Sequence, residues 1–588
     1  MKISKLIIAT TACAVMALTG CVDDDYDLSD IESTAQFKMT DIVLPLNLDD
    51  ITLSDVLDLE EGSRIQIVDG EYVLTEEGTF ASENISIDRI HVDAPVVAPS
   101  ITNIDLDDSF KELLPLDVAG MPKEIWYNIS SSDEGSHFDY EVDDVSEHIT
   151  SINSVKVELS MTINMTVKGL EDYITGFDFR EMVFQFPKGL TLDYDTKKYE
   201  YDFNSGEFRF KDDYIGTVPG TTYELKVKAT AIDFKKANAE FDASHHRMVF
   251  ADNVKVKSGK AHVADTDFKE GHSFMDMPHD CVFELSFDFS DLTVNEFSGG
   301  VQYSISGIDI DPIEMTDIPD FLNQEGTDIK LNNPQLYLSV NNPVAPYGLA
   351  PHTGLSVTQV RNGNDGSTCS IDNGVFYFGK ESGNVDYNYC LAPEMPGNVR
   401  PGYENASFVP FTGLSGIVSG EGIPSALKVS VDNPGIDGEA KDFSLGQELE
   451  MHGSYLFFAP LNLSAGSVIV YTDTRDGWSD EDLDRMTLSS VEISATASSD
   501  IPFSVVLDGY PINTSGERIE SDVEGVEIEA NADSEDIVIR ITGTITDLDG
   551  ITFTATAVSD GSKTLSPDQK VVLRNVKVKV SGSYTDEL

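Results

Sequence analysis

The feature that most restricts what this chain can fold into is an alternation of apolar and polar side chains with a period of two, repeated along nearly its whole length. Examples are SVKVELSMTINMTVKG from Ser154, TYELKVKATAIDF from Thr222, PQLYLSV from Pro334, ALKVSVDNPG from Ala426, SSVEISATA from Ser489 and DIVIRITGTITDLDGITFTATAV from Asp536. Successive side chains of a strand point to opposite faces, so each segment has one apolar and one polar face and reads as a half-buried antiparallel strand. The helical candidates, such as DIPDFLNQ from Asp317 and SDEDLDRM from Ser479, are short. The chain is therefore expected to be all-β, built of tandem antiparallel β-sandwiches. They are immunoglobulin-like in architecture alone, because no Cys and Trp framework accompanies the strands.

Two recurring devices punctuate this pattern. MVFADNVKVKSGKAHV from Met248 is echoed by VVLRNVKVKVSGSYTD from Val571, and Ser154 to Gly169 and Ser490 to Gly509 look like the matching opening strands. The alternating Val and Lys suit an outer strand of a sandwich. Asn-Pro closes apolar runs at NNPQLYLSVNNP and VSVDNP. Proline donates no ladder hydrogen bond and holds the preceding residue extended, so each Asn-Pro is expected to mark a strand edge or an exit from the sheet. The resulting divisions are a leader at 1–20, a tether at 21–36, an N-terminal β module at 37–125, a sandwich at 146–272, a central β domain at 280–415 and a C-terminal sandwich region at 416–588.

The first thirty residues speak to location. Lys2 and Lys5 precede an apolar stretch from Leu6 to Leu18, too short to span a bilayer core of about 30 Å, so the segment reads as a secretory signal. Leu18-Thr19-Gly20-Cys21 resembles the lipobox of bacterial lipoproteins, and that resemblance implies cleavage before Cys21 and diacylglycerol on its sulfur. The acidic run that follows, with Asp23, Asp24 and Asp25, is similar to the export signals of Bacteroidetes-type surface lipoproteins; as composition alone it is a solvated tether. The resemblance implies an outer-membrane protein, lipid-anchored and exposed at the cell surface.

Loss of Lys2 and Lys5 with the leader takes the formal charge from −64 to −66. Such a field repels nucleic acid and anionic headgroups, and excludes both as partners. Once Cys21 is lipidated, Cys281, Cys369 and Cys390 remain, so at most one internal disulfide forms and the fold is no disulfide scaffold. Cys369 and Cys390 are the candidate pair; Cys281 reads as a small buried hydrophobe.

No catalytic motif stands out. HExxH is absent, GLSGIVSG from Gly413 lacks the spacing of a nucleophile elbow, and no glycine-rich phosphate loop joins a strand to a helix. Pairs such as Asp309 and Asp311 arise by chance among 103 carboxylates. The ten histidines are scattered, and His245 and His246 face opposite ways if extended. No enzyme activity is expected.

Calcium is the candidate ion, at two acidic stretches. DTRDGWSDEDLD offers Asp473, Asp476 and Asp480, and DLDG offers Asp547 and Asp549, though neither has EF-hand spacing. The competing readings are a turn in which Ser479 caps a short helix and a hairpin turn on Asp549-Gly550. The candidate ligand surface is the segment from Val375, where Tyr377, Tyr387, Tyr389 and Tyr403 sit among Gly, Pro and Asn, together with Trp478. Against this, alternating aromatics such as Phe376 and Phe378 suit a sheet core.

The pattern as a whole resembles large surface lipoproteins of Bacteroidetes. It implies a non-catalytic, membrane-tethered protein presenting a binding or adhesive surface to a glycan or an extracellular protein, with a glycan-binding component of a polysaccharide uptake system as the alternative. Cys21→Ala is expected to abolish fatty-acid labelling and to release or mislocalise the protein. Unchanged membrane retention would rule out the lipid anchor.

Overall fold

The computed structural model describes residues 34–45, 51–57, 59, 62–111, 124–130, 135–211, 215–316, 318–379, 386–477, 479 and 486–587. The leader, Cys21, Asp23, Asp24, Asp25, Trp478 and Asp480 lie outside these residues. Strands hold 59% of the described residues and helices 5%, so the fold is all-β, with several sheets that are antiparallel except for the parallel pairing of Asp386–Ala392 with Ser407–Pro410; none of them closes, which is consistent with tandem sandwiches. No helix among the described residues is long and apolar enough to cross a membrane.

The alternation works as read. Along Ser154–Lys168 the side chains of Val155, Val157, Leu159, Met161, Ile163, Met165 and Val167 are all buried. Fully burying a Val, Leu, Ile or Met contributes about 1.5–3 kcal/mol, so a one-residue slip of this strand would forfeit the whole set at once. This strand pairs antiparallel with Thr222–Asp233 on one side and Asp280–Phe289 on the other. They belong to a network of twenty strands that also takes in Ile90–Val92, Arg247–Ala264, Leu292–Ser304, Pro351–Arg361 and Ala426–Ser444.

Three six-stranded sheets complete the architecture. The terminal sheet runs Thr34–Pro45, Lys570–Glu587, Met486–Ser499, Glu535–Ile545, Asp522–Glu524, with Ile51–Thr52 also on Lys570–Glu587. A second sheet containing Val468–Arg475, Leu548–Ser559 and Phe503–Asn513 packs against it: Met486, Leu488, Ile541 and Ile545 meet Leu548 and Ile551, and Ala495, Ala497, Ile537 and Val576 meet Ile528. The third runs Ser407–Pro410, Asp386–Ala392, Gln335–Asn341, His452–Pro460, Glu71–Ala81, Ile65–Val68.

The first described strand is built into the end of the chain. Thr34 faces Glu587 and Pro45 faces Lys577, with one irregularity between Met39 and Ile42. Strand thus begins at Thr34, inside the stretch read as tether.

The internal echo is a likeness of strands. Arg247–Ala264 and Lys570–Glu587 are each 18 residues long, and in both the Asn-Val-Lys-Val-Lys alternation buries valine (Val254, Val256, Val576) and exposes lysine (Lys257, Lys577, Lys579). Their surroundings differ. Lys570–Glu587 pairs with Met486–Ser499, whereas Arg247–Ala264 pairs with Glu124–Ser130, Ser136–Val142, Phe177–Gln185 and Ala239–Asp242.

The Asn-Pro device behaves in two ways. Asn342-Pro343 ends Gln335–Asn341, as expected. Asn342 is fully buried; its amide donates to the carbonyls of Leu349 (3.1 Å), Phe378 (3.2 Å) and Gly379 (2.8 Å), and its Oδ1 accepts from Val344 N–H (3.1 Å). Asn433-Pro434 departs from expectation, because the strand continues through it from Ala426 to Ser444. Asn433 adopts φ 48°, and the register slips between His352/Gly435 and Gly354/Asp432. The proline sits at a bulge, where a missing ladder donor is tolerated, and the bulge lets one strand face Pro351–Arg361 first and Leu292–Ser304 later.

Asn342→Ala strands three buried carbonyls and is expected to destabilise the protein by about 3 kcal/mol, read as an earlier denaturant midpoint. Asn342→Asp, which keeps the acceptor and loses the donors, should fare no better.

Candidate functional site

The tyrosine-rich segment splits between core and surface. Phe376 and Phe378 are buried and stack edge-on with each other at 4.8 Å and with Tyr389 at 5.5 and 6.1 Å, so the core role weighed for alternating aromatics is what these two have. Tyr389 is buried with them; its hydroxyl donates to Tyr377 O (2.9 Å) and accepts from Gly379 N–H (2.8 Å), and burial raises its pKa. Tyr387 is half-buried over Gly379, whose positive φ of 54° and contact with that ring leave no room for a Cβ. Tyr403 packs on Tyr337, ring centres 4.8 Å apart, in a small apolar cluster with Val399, Phe408 and Phe458.

Tyr377 is the tyrosine of this set that faces solvent, at 45% exposure. Period two explains it: Phe376 and Phe378 point inward, so Tyr377 points out. Its ring lies 5.5 Å from that of His352, opposite which it is paired, and His352 Nε2 is 2.7 Å from Asp437 Oδ2. Val375 beside it is 48% exposed. An aromatic face next to an imidazole and a carboxylate is chemistry that can hold a neutral polyhydroxylated ligand.

The disulfide weighed for Cys369 and Cys390 is not formed; both are free thiols, as is Cys281. The reason lies in the sheets. Cys369 is on Asn364–Ser370, paired with Val357 of the large network, whereas Cys390 is on Asp386–Ala392 of the third sheet, buried with Tyr337 and Phe458. Burial pushes both thiols up to about 11, which makes them poor nucleophiles. Cys281 is buried, as read.

The two acidic stretches come together. Val468–Arg475 pairs antiparallel with Leu548–Ser559, Arg475 facing Ile551, so residues 476, 477 and 479 and residues 547–549 share one end of the second sheet. Asp549 Oδ1 accepts the Ser479 N–H at 2.9 Å, and hydrogen bonds from Ser479 hold its carboxyl below the usual range. Asp547 takes both carboxylate oxygens to Thr514 Oγ1, at 3.0 and 3.1 Å. Asp476 is exposed, and the side chain of Asp473 lies outside the described residues. The turn is displaced from the expected Asp549-Gly550: Asp547 carries the positive φ, 57°, and the flanking strands enter different sheets, which makes a corner between layers instead of a hairpin. The carboxylates seen here are engaged in shaping that corner.

His246 has φ 52°, so the adjacent pair sits in a turn, with His245 Nδ1 2.7 Å from Asp242. His262 is buried, its Nε2 2.8 Å from Glu124 and its Nδ1 3.7 Å from Asp178. His91 shares a surface cluster with Asp93 and Asp291. The His-x-Asp spacing of the first two was readable as one strand face; Asp291 enters through strand pairing alone.

No protein-family model matches this chain, and neither does any curated protein. Among solved structures it is similar to a Parabacteroides distasonis protein described as secreted, with TM-score 0.34 and 16% identity over 48% of this chain and 89% of that one. It is also matched to a chain of Broad Bean Stain Virus, with TM-score 0.13 and 10% identity over 50% of this chain and 90% of the other. Likeness at this level carries no conclusion about function.

The Ser479 contact predicts a pH signature. A carboxyl whose folded-state pKa is depressed contributes stability that is present above its unfolded value and lost as pH falls through the folded one. Asp549→Ala is expected to lower the melting temperature by a few degrees at neutral pH. The gap from wild type should close on acidification below the usual carboxylate range; a gap independent of pH would show that the contact acts through packing instead.

Proposed function

We propose that this chain is a lipid-anchored protein of the outer membrane, exposed on the cell surface, which presents a binding or adhesive surface on its sandwiches and performs no catalysis. The observation that carries the reading is the junction between the lipobox-like start and the fold. Cys21 stands 13 residues before Thr34, and Thr34 already pairs with the closing strand. Thirteen residues reach at most about 45 Å, so acyl chains on Cys21 would keep the terminal sheet close to the bilayer. Two chains suffice for stable anchoring. A strand locked into a sheet resists extraction better than a loose tail, which suits a protein that must hold its ligand against flow.

A second reading, a glycan-binding component of a polysaccharide uptake system, draws support from Tyr377 beside the His352–Asp437 pair. Exposed aromatic rings stack on sugar faces while neighbouring polar groups accept and donate to hydroxyls. It shares the anchor with the first reading and differs in ligand.

Protease treatment of intact cells tests the placement. Digestion of the native protein without lysis is the expected result. Protection until the envelope is opened would put it in the periplasm and favour an envelope-scaffolding role. Tyr377→Ala should then reduce retention on immobilised polysaccharide at least tenfold if the second reading holds, and leave it unchanged if the ligand surface is elsewhere.

A further inference from the structure

The short strand Ile90–Val92 and the start of Leu292–Ser304 pair so that Val92 faces Leu292 and His91 faces Thr293. Side chains two apart on a strand share a face. His91 and Asp93 therefore lie on the same side as Thr293 and Asp291, one step beyond the end of the ladder. His91 Nδ1 is 3.2 Å from Thr293 Oγ1, which sets the ring and leaves Nε2 to the neighbouring carboxylates. Nε2 is 3.9 Å from Asp93 Oδ1 and 3.9 Å from Asp291 Oδ2. Asp291 is itself oriented, since its Oδ1 accepts the Ala94 N–H at 2.9 Å and leaves Oδ2 turned to the imidazole. One ligand atom from each of the three residues falls within 4.8 Å of the others.

We propose that His91, Asp93 and Asp291 bind one divalent transition-metal ion, of which zinc is the representative, with its remaining coordination positions open to solvent. The donor set selects the metal. Calcium takes six to eight oxygens, whereas one imidazole nitrogen with two carboxylates suits zinc and its neighbours. Bonds of about 2.0–2.2 Å in a tetrahedron put ligand atoms about 3.4 Å apart. Both imidazole–carboxylate distances of 3.9 Å need a closure of about half an ångström, and the ligand atoms, which lie within 4.8 Å of one another, must draw in around Asp291; rotation of the exposed Asp93 and His91 side chains toward it supplies both movements.

Thr293 on the far ring nitrogen and the Ala94 amide on Asp291 are the supporting contacts that metal-bound histidines and carboxylates characteristically have. The site opens beside a groove of about 590 Å³ whose walls include Asp139, Glu141, Asp143 and Asp144. Arg247 pairs with Glu141 and Asp143, and the acids outnumber it, so the local field favours a cation. Open positions on an ion held there would accept water or an oxygen ligand lying in the groove.

The strongly acidic chain will collect divalent cations loosely, so the test is run on the full mature protein in excess calcium, which fills carboxylate-only sites. Zinc titration is expected to show one saturable equivalent above the calcium background, and zinc should raise the melting temperature. His91→Ala and Asp291→Asn are each expected to weaken zinc binding at least about tenfold and to remove the thermal shift. Thr293→Val should weaken it by a smaller factor. These residues are at the surface, and circular dichroism of each variant checks that the sheets are intact. No saturable zinc binding over calcium, or binding unchanged by His91→Ala, would overturn the proposal and leave the cluster as a plain histidine–aspartate ion pair.

Discussion

The arrangement on which the rest depends is the ladder between Thr34–Pro45 and Lys570–Glu587, because it joins residues more than 530 positions apart. Closing a chain loop of that size costs about 5–6 kcal/mol in entropy on a logarithmic scale, a sum that only an extended, well-buried pairing recovers. Lys570–Glu587 supplies it by pairing on its other edge with Met486–Ser499, while Val576 and Val572 enter the core behind it. The opening strand is therefore an edge of a sheet whose other main strands all come from the end of the chain. It follows that this sheet cannot be complete until the whole chain is present, and that anything attached ahead of Thr34 is mechanically coupled to the C-terminal sandwich.

Polar side chains decide where strands may turn or change partners. Asn342, buried and making four hydrogen bonds, fixes the loop around Phe378 and Gly379 against the start of the turn at Val344, and so holds the short Phe376–Tyr377 strand with its ring outward. Asn433 and Asn575 take left-handed conformations inside long strands, at points where the pairing register slips. Asp547 does the same at the corner between the two C-terminal sheets. Asn and Asp tolerate this conformation at lower cost than other non-glycine residues, which is why they recur where a strand must bend without ending.

This explains how far the sequence could be read. Period two assigns each side chain to a face, and the strand Ser154–Lys168, the burial of Phe376 and Phe378 and the alternation of Val254 with Lys255 all follow from it. It carries no information about partners. Nothing local to Cys369 or Cys390 says that their strands enter different sheets, and nothing in the echo of Asn253 and Asn575 says that one long strand has four partners along its length and the other chiefly two. The acidic stretches at Asp473 and Asp547 looked like separate sites because their meeting is a matter of register, Arg475 opposite Ile551. The same holds for Asp291, which joins His91 across a ladder, out of sight of any motif search.

Charge narrows what such surfaces can hold. Several basic groups are paired locally: Arg540 and Lys579 both reach Glu492, Lys156 reaches Glu296, and Lys168 reaches Glu284, each across neighbouring strands on an outer sheet face. Exposed pairs of this kind add little stability each, but they cancel repulsion where strands lie side by side. The unpaired remainder is overwhelmingly acidic, and salt screens it within about 8–10 Å. An anionic partner would therefore meet net repulsion at close range. A neutral ligand rich in hydroxyls, or a cation held between carboxylates and an imidazole, would not, and the surroundings of Tyr377 and of His91 are chemically suited to the first and the second.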